Sequence, residues 1–250
     1  MNEMKKSQPA SEPKRSQPTS TSARLSLGRS GPSIPTHEQL SFQLDHALAR
    51  DAVHAQLDTN LLVRGLQKRN LEPIMLQSAA PDRRTYLSRP DLGRTLNADS
   101  TELLQRRSAQ PLNVIFILAD GLSALAVERH ALPLLDATLP LLTASPSLIP
   151  IISQARVAIG DQIGQLLFAC LTVLLIGERP GLSSPDSLGV YITWDPRPGR
   201  SDAERNCISN IRAEGLSYAA AAARISFYIN EAQRLKATGI ALKDLRSPCS

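Results

Sequence analysis

The sequence VLLIGERPGL, residues 173–182, passes from four consecutive aliphatic side chains into a Glu-Arg pair and a Pro-Gly break. An aliphatic run without polar alternation is typical of a strand that is buried on both faces of a sheet. Similar short apolar runs occupy residues 112–120, 147–155 and 189–194, and helical segments separate them. Strands that alternate with helices predict crossover connections and a parallel sheet. The predicted fold class is therefore α/β, with an open, mostly parallel, Rossmann-like sheet and flanking helices.

The chain before residue 111 is mainly helical in pattern. The sequence THEQ, which begins at Thr36, has the spacing of a capping box at the start of a helix. Residues 73–77, PIMLQ, predict a short strand, and the proline favours an edge position because it cannot donate a ladder hydrogen bond. Near the other end of the chain, Ser217 is a candidate cap of a closing helix that we expect to stop at Gly239.

The first 35 residues differ from the rest in composition. Residues 1–35 are rich in Ser, Thr and Pro, and their six basic and two acidic residues carry +4 of the chain's net charge of +5. Because they contain too little apolar surface to offset the entropy lost on ordering, we predict a disordered basic tail. The predicted organisation is this tail, a mainly helical N-terminal region at residues 36–110, and an α/β domain at residues 111–250.

The composition argues against several classes of protein. Only 4% of residues are aromatic and most of the net charge lies in the predicted tail, so we expect no nucleic-acid interface. The longest apolar run, residues 163–176, is about fourteen residues long, and a membrane-spanning helix needs roughly 20. The three cysteines form no CxxC pair, which favours a reducing compartment. Since no signal-peptide pattern is seen, we expect a cytoplasmic protein that does not bind membranes.

Candidate binding residues follow the ends of the predicted strands. Ligands of open parallel sheets bind beyond the carboxyl ends of the strands, where Asp120 and Glu178 both lie. The chain has no GxGxxG pattern and no P-loop, so the simplest nucleotide-binding loops are excluded. Asp120 is interpreted either as a cap or a carboxylate that bonds its neighbouring loop, or as part of a metal or phosphoryl site of a phosphohydrolase. The second interpretation needs Asp and His at neighbouring strand ends, but the four histidines lie in predicted helical segments.

Two other side chains have an ordinary interpretation from the residues alone. Cys207 is typical of a small buried hydrophobe, because a catalytic cysteine would need a base for which the sequence offers no candidate. Glu178 can form a salt bridge with the adjacent Arg179 or with another nearby base.

Five segments of the chain resemble a known family when they are taken together. They are YLSRPDLGRTL (residues 86–96), ADGLSALA (119–126), RVAIGDQIG (156–164), LLIGERPGL (174–182) and RNCISNIRAEGLSYAAAAARI (205–225). In this order they resemble the small (light) chain of ethanolamine ammonia-lyase, the adenosylcobalamin-dependent enzyme of bacterial ethanolamine catabolism. Each segment is weak alone, whereas the ordered set, which spans residues 86 to about 242, is specific.

The resemblance implies three cobalamin contacts in this chain: Val157, Glu178 and Cys207. A corrin carries a fringe of neutral amides whose N–H groups donate hydrogen bonds, so Glu178 is expected to accept from them. The resemblance also implies no catalytic acid, base or nucleophile and no metal ligand here, because homolysis of the cobalt–carbon bond and radical rearrangement belong to the cofactor.

The resemblance further implies a hetero-oligomer. The large subunit, a TIM barrel, is expected to hold the substrate, and the small chain to cover the other side of the cobalamin while ethanolamine is converted to acetaldehyde and ammonia. Small chains of this family enter a protein-shelled bacterial microcompartment, which is a second location beside the cytoplasm. Two alternatives stay open on the residues alone: a stand-alone metal-dependent phosphohydrolase that uses Asp120, and a non-catalytic docking module.

Overall fold

The computed structural model describes residues 33–107, 111–144 and 146–242. The helices are α1 (Thr36–His54), α2 (Thr59–Gln67), α3 (Arg83–Ser88), α4 (Ala98–Arg107), α5 (Ala124–Thr138), α6 (Ile159–Leu166) and α7 (Tyr218–Leu235). The strands are β1 (Glu72–Gln77), β2 (Leu112–Ala119), β3 (Leu148–Ser153), β4 (Ala169–Gly177), β5 (Leu188–Trp194) and β6 (Arg205–Ile211). Most of the predicted tail, residues 1–32, lies outside the described residues.

The six strands form one open sheet in the order β1-β3-β2-β4-β5-β6. The pairs from β1 to β4 are parallel, and β5 and β6 are added antiparallel. This arrangement confirms the predicted α/β class with an open, mostly parallel sheet, and it confirms β1 as an edge strand. The sequence analysis missed β6, because its outward residues are polar and it lacks an apolar run. The division of the chain at residues 35 and 110 stays a prediction.

The sheet separates two hydrophobic cores. Alternate residues of β2 point to opposite faces, so Phe116 belongs to one core and Ile117 to the other, and neither is exposed to solvent. The first core is closed by α2, α5 and α7, and the second by α4 and α6. Because the central strands serve both cores, their apolar runs show no polar alternation.

The helix ends differ in part from the prediction. Ser217 caps α7 as predicted, with its hydroxyl accepting from the backbone N–H of Ala220 at 3.3 Å. The helix ends earlier than expected, since Lys236 adopts the left-handed conformation with φ of 52°. Gly239 instead lies in a separate turn, where its N–H donates to the side chain of Asn206 at 2.8 Å. At Thr36 no side chain caps α1, so the predicted capping box is wrong.

The helices of the described ranges differ in length and in apolar content. In residues 33–107, 111–144 and 146–242, none combines the length and the apolar content that would let it cross a membrane.

Candidate functional site

A cleft of ≈ 440 Å³ lies at the rim of the sheet where the parallel strands end. Val157 follows β3, Glu178 follows β4, Tyr191 lies in β5 and Ser209 in β6, and all four side chains line the cleft. The rule that parallel strands gather their carboxyl ends at one edge explains why Val157 and Glu178 meet here, while Tyr191 and Ser209 come from the two antiparallel strands. Two of the three positions named by the sequence analysis, Val157 and Glu178, therefore share one cleft.

Two glycines allow the backbones to meet closely at the edge of this cleft. Gly121 has φ of 58°, and a Cβ atom at this position would lie 2.1 Å from the carbonyl oxygen of Gly177. A Cβ atom at Gly177 would in turn lie 2.0 Å from the carbonyl oxygen of Ser123. Leu122 donates a backbone hydrogen bond of 2.9 Å to the oxygen of Gly177, which joins the loop after β2 to the end of β4. No side chain larger than hydrogen fits at either glycine.

The carboxylate of Glu178 is held by hydrogen bonds from one side. Its Oε2 atom accepts from the hydroxyl of Ser187 and from the backbone N–H of Asn210, the latter at 3.2 Å. Its Oε1 atom lies above Gly189, where an added Cβ atom would be only 2.9 Å away. Among the described residues no basic side chain forms a salt bridge with Glu178, so the interpretation as a pair with Arg179 is wrong. The half-buried carboxylate thus keeps capacity to accept further hydrogen bonds.

A β-bulge directs the second of these hydrogen bonds. The pairing of β5 with β6 shifts from Leu188 opposite Ile211 to Val190 opposite Ile208, which leaves one extra residue on β6. Asn210, within the bulge, has φ of 61° and donates its N–H to Glu178. Bulges re-aim backbone and side-chain groups and are frequent next to functional sites.

Cys207 lies beside the cleft rather than in the core. It is the direct cross-strand partner of Tyr191. Desolvation by neighbouring atoms and the charge of Glu178 raise the pKa of the Cys207 thiol, so the thiol is neutral at physiological pH. The residue is exposed to solvent, which corrects the prediction of a small buried hydrophobe.

Asp120 has a structural role in the fold. Its two carboxylate oxygens accept from the backbone N–H groups of Gln154 at 2.9 Å and Ala155 at 3.0 Å, and Arg83 lies 3.3 Å away. Burial raises the pKa of Asp120, and these donors oppose that shift. The side chain joins the ends of β2 and β3, which agrees with the interpretation of a carboxylate bonding its neighbouring loop. The described ranges contain no group of three or more His, Cys, Asp and Glu side chains suited to a metal ion.

The loop between β4 and β5, residues 178–187, is anchored on the helical layer. The carboxylate of Asp186 accepts from Arg129 at 2.8 Å and lies 3.3 Å from Nε2 of His130. Nδ1 of the buried His130 lies 2.7 Å from the hydroxyl of Tyr218 on α7. Burial alone would raise the pKa of Asp186, but the hydrogen bond from Arg129 and the nearby His130 lower it below its usual value. The loop that begins with Glu178 is thus fixed at its far end.

The sequence analysis did not select Arg156, which also lines the cleft. Its guanidinium carbon lies 4.5 Å from the centre of the Tyr86 ring, and its Nε atom is buried without a hydrogen-bond partner among the described residues. The available signal was its position, because it is the first residue of RVAIGDQIG and comes directly after a predicted strand. No carboxylate lies next to Arg156 in the sequence, so the sequence did not suggest a role for it.

Comparison with known proteins yields one family. The family model described as "Ethanolamine ammonia-lyase light chain (EutC)" matches residues 11–243. An ethanolamine ammonia-lyase small subunit from Azotobacter vinelandii is 54% identical over 230 residues, which cover 90% of this chain and 85% of the relative. Small subunits from Pseudomonas aeruginosa, 51% identical with 90% and 84% covered, and from Bradyrhizobium diazoefficiens, 52% identical with 90% and 87% covered, are also similar.

Proposed function

This chain belongs to the ethanolamine ammonia-lyase light chain family, and from that premise we propose that it is the small subunit of an adenosylcobalamin-dependent ethanolamine ammonia-lyase. The complex converts ethanolamine to acetaldehyde and ammonia. The large subunit holds the substrate, and this chain covers one side of the cobalamin with the cleft at its sheet rim. The complex works in the cytoplasm, with a bacterial microcompartment as a second location.

The observation that carries this proposal is the pairing of Val157 and Glu178 in one cleft, with Cys207 attached to its wall through Tyr191. The residues fit the edge of a corrin. Glu178 presents a carboxylate without a basic partner, which suits neutral amide N–H donors. Val157 supplies half-buried apolar surface, and Cys207 a neutral thiol. The sequence contains no phosphate-binding loop, and such a loop would bind a phosphate rather than the neutral amides at the edge of a corrin.

When adenosylcobalamin is bound, it supplies the cobalt–carbon bond whose homolysis starts the radical chemistry. The role of this chain is binding and exclusion of water. Glu178 accepts hydrogen bonds from amide side chains of the ring, and Val157 packs against its apolar surface. Ser187 and Asn210 hold the carboxylate in place before the cofactor arrives, which lowers the entropic cost of binding.

The first experiment is co-purification of this chain with the large subunit, followed by a visible absorption spectrum. We expect a stable complex that retains a corrinoid spectrum. A chain that binds no large subunit, yet hydrolyses phosphate esters with a divalent metal, would support the phosphohydrolase alternative and reject the proposal. A complex that forms normally but whose corrinoid contacts only the large subunit would support the docking-module alternative.

The second experiment tests Glu178 itself. Hydrogen bonds to charged groups contribute about 1.5 to 3 kcal/mol, so Glu178→Gln should weaken adenosylcobalamin binding to the complex by roughly ten- to a hundredfold. The affinity is measured by spectral titration. Ser187→Ala is the comparison variant: it removes an internal hydrogen bond and keeps the carboxylate, so it should weaken binding less than Glu178→Gln. Equal losses in the two variants would assign Glu178 a purely structural role.

A further inference from the structure

We infer that Arg156 is a second polar anchor of the cleft, whose guanidinium donates hydrogen bonds to an acceptor oxygen, an amide carbonyl or a phosphodiester, on the cofactor. This inference deepens the proposed function and rests on it. It starts from the position of the side chain: Arg156 lines the same cleft as Glu178 and follows β3, which β2 separates from β4 in the sheet.

Arg156 is held rigidly by its neighbours. Its guanidinium lies over the ring of Tyr86, which is completely buried and whose hydroxyl donates to the carbonyl oxygen of Ala155 at 2.8 Å. The backbone N–H of Arg156 donates to the oxygen of Gly93 at 2.7 Å, and a Cβ atom at Gly93 would lie 3.0 Å from Cγ of Arg156. An arginine stacked on a fixed aromatic ring loses little entropy when it forms further hydrogen bonds.

Within the described residues, Arg156 has no acceptor for any of its side-chain N–H groups, and its Nε atom is buried. Two other arginines, Arg83 and Arg205, are buried and have acceptors within the chain. Arg83 donates to the carbonyl oxygens of Val53 and Gly121, and Arg205 forms a two-pronged pair with Asp161. All three arginines leave one buried nitrogen without a hydrogen-bond partner, but among the described residues only Arg156 of the three makes no side-chain hydrogen bond. Because its half-buried side chain lines the cleft, its terminal N–H groups can donate to an acceptor from outside the chain.

The chemistry of that acceptor follows from the cleft. Arg156 can only donate hydrogen bonds and Glu178 can only accept them, and the two side chains do not pair with each other. An amide offers both functions, since its N–H suits Glu178 and its carbonyl suits Arg156. A phosphodiester matches the planar fork of the guanidinium equally well. Both groups belong to a cobalamin, so one ligand satisfies both side chains.

The test uses the complex of this chain with the large subunit and measures adenosylcobalamin affinity by spectral titration. Arg156→Met keeps an unbranched stem over Tyr86 and removes every donor. We expect roughly ten- to a hundredfold weaker cofactor binding. Arg156→Lys, which keeps the charge without the fork, should recover part of the loss. Melting temperatures of both variants are measured to confirm that the chain folds.

Arg179→Met is the matched control, because Arg179 lines the same cleft and carries the same charge, but it is exposed and has no stacking partner in the described part of the chain. We expect it to change the affinity much less than Arg156→Met. Equal losses would mean that only the overall charge of the cleft matters, and this would overturn the inference.

A second readout separates the possible sources of the acceptor. The affinity between the two subunits is measured without cofactor, by titrating this chain into the large subunit. If Arg156→Met weakens subunit association and leaves cobalamin affinity unchanged, the acceptor is a carboxylate of the large subunit and the inference is wrong. If Glu178→Gln weakens cobalamin binding and Arg156→Met does not, the inference fails while the proposed function stands. If neither variant changes it, the proposed function fails as well.

Discussion

At the scale of single residues, Gly189 leaves room for the carboxylate of Glu178. A Cβ atom at position 189 would lie 2.9 Å from Oε1 and 3.0 Å from Cγ of Glu178. The opposite side of the carboxylate is already held by Ser187 and Asn210. A methyl group here would therefore push Glu178 out of its position rather than find room elsewhere.

We predict that Gly189→Ala lowers the affinity of the complex for adenosylcobalamin by roughly tenfold, because overpacking of this kind costs about 1 to 3 kcal/mol. The measurement is a spectral titration. Gly160→Ala is the control, since a Cβ atom at Gly160 would meet nothing closer than 3.8 Å and would only raise the helix propensity of α6. Unchanged affinity in Gly189→Ala would mean that the position of the carboxylate is unimportant.

At the scale of elements, the loop of residues 178–187 depends on α5 for its position. Asp186 is hydrogen-bonded to Arg129 and lies beside His130, and Ser123 donates to the oxygen of Pro185 at 2.8 Å. The helix therefore holds the end of the loop that carries Ser187, the hydrogen-bond donor to Glu178. A change at Asp186 should therefore shift Ser187 and, through its hydrogen bond, the carboxylate of Glu178 in the cleft.

We predict that Asp186→Asn speeds hydrogen exchange of the backbone amides in residues 178–187 and weakens cobalamin binding. Asp136→Asn is the control, because it removes a comparable ion pair with Arg69 from the same helix, away from the loop. The pKa of Asp186 is lowered in the folded chain, so its stabilising contribution is complete above its ordinary value of 3.8 and is lost as the pH falls through the lowered value. Wild type and variant should thus begin to converge as the pH falls below 3.8 and coincide below the lowered pKa, and a difference that persists there would contradict this account.

At the scale of the whole molecule, one sheet supports both cores. Phe116 and Ile117 are neighbours in β2, and both are completely buried on opposite faces. Because β2 lies between β3 and β4, loss of packing on either face weakens the same strands. The described part of the chain should therefore unfold as one cooperative unit.

We predict that Phe116→Ala lowers the free energy of unfolding by about 3 to 5 kcal/mol and Ile117→Ala by about 2 to 5 kcal/mol, through the cavities they create. Urea unfolding is followed by circular dichroism and by the fluorescence of Trp194, the single tryptophan, which lies in β5. Each variant should give one transition that coincides for the two probes. Separate transitions would show that the two cores are independent.

Much of the fold could be predicted because apolar periodicity reports burial. The aliphatic runs that became β2, β3, β4 and β5 were identified since strands buried on both faces need apolar residues at every position. The strand β6 was missed because one of its faces is exposed, with Cys207 and Ser209 on it. The end of α7 at Lys236 was also missed, because a left-handed lysine carries no signal in sequence.

By itself, the sequence determined five of the six strands, that Glu178 and Val157 follow strand ends, and which family the ordered motifs resemble. Only the tertiary structure decided that, among the described residues, Glu178 has no basic partner, Asp120 accepts from two backbone N–H groups, and the side chain of Arg156 has no acceptor. The physical reason is that burial depends on local composition, which a sequence displays directly. Hydrogen-bond pairing depends instead on distances between segments far apart in the chain, and those distances exist only after folding.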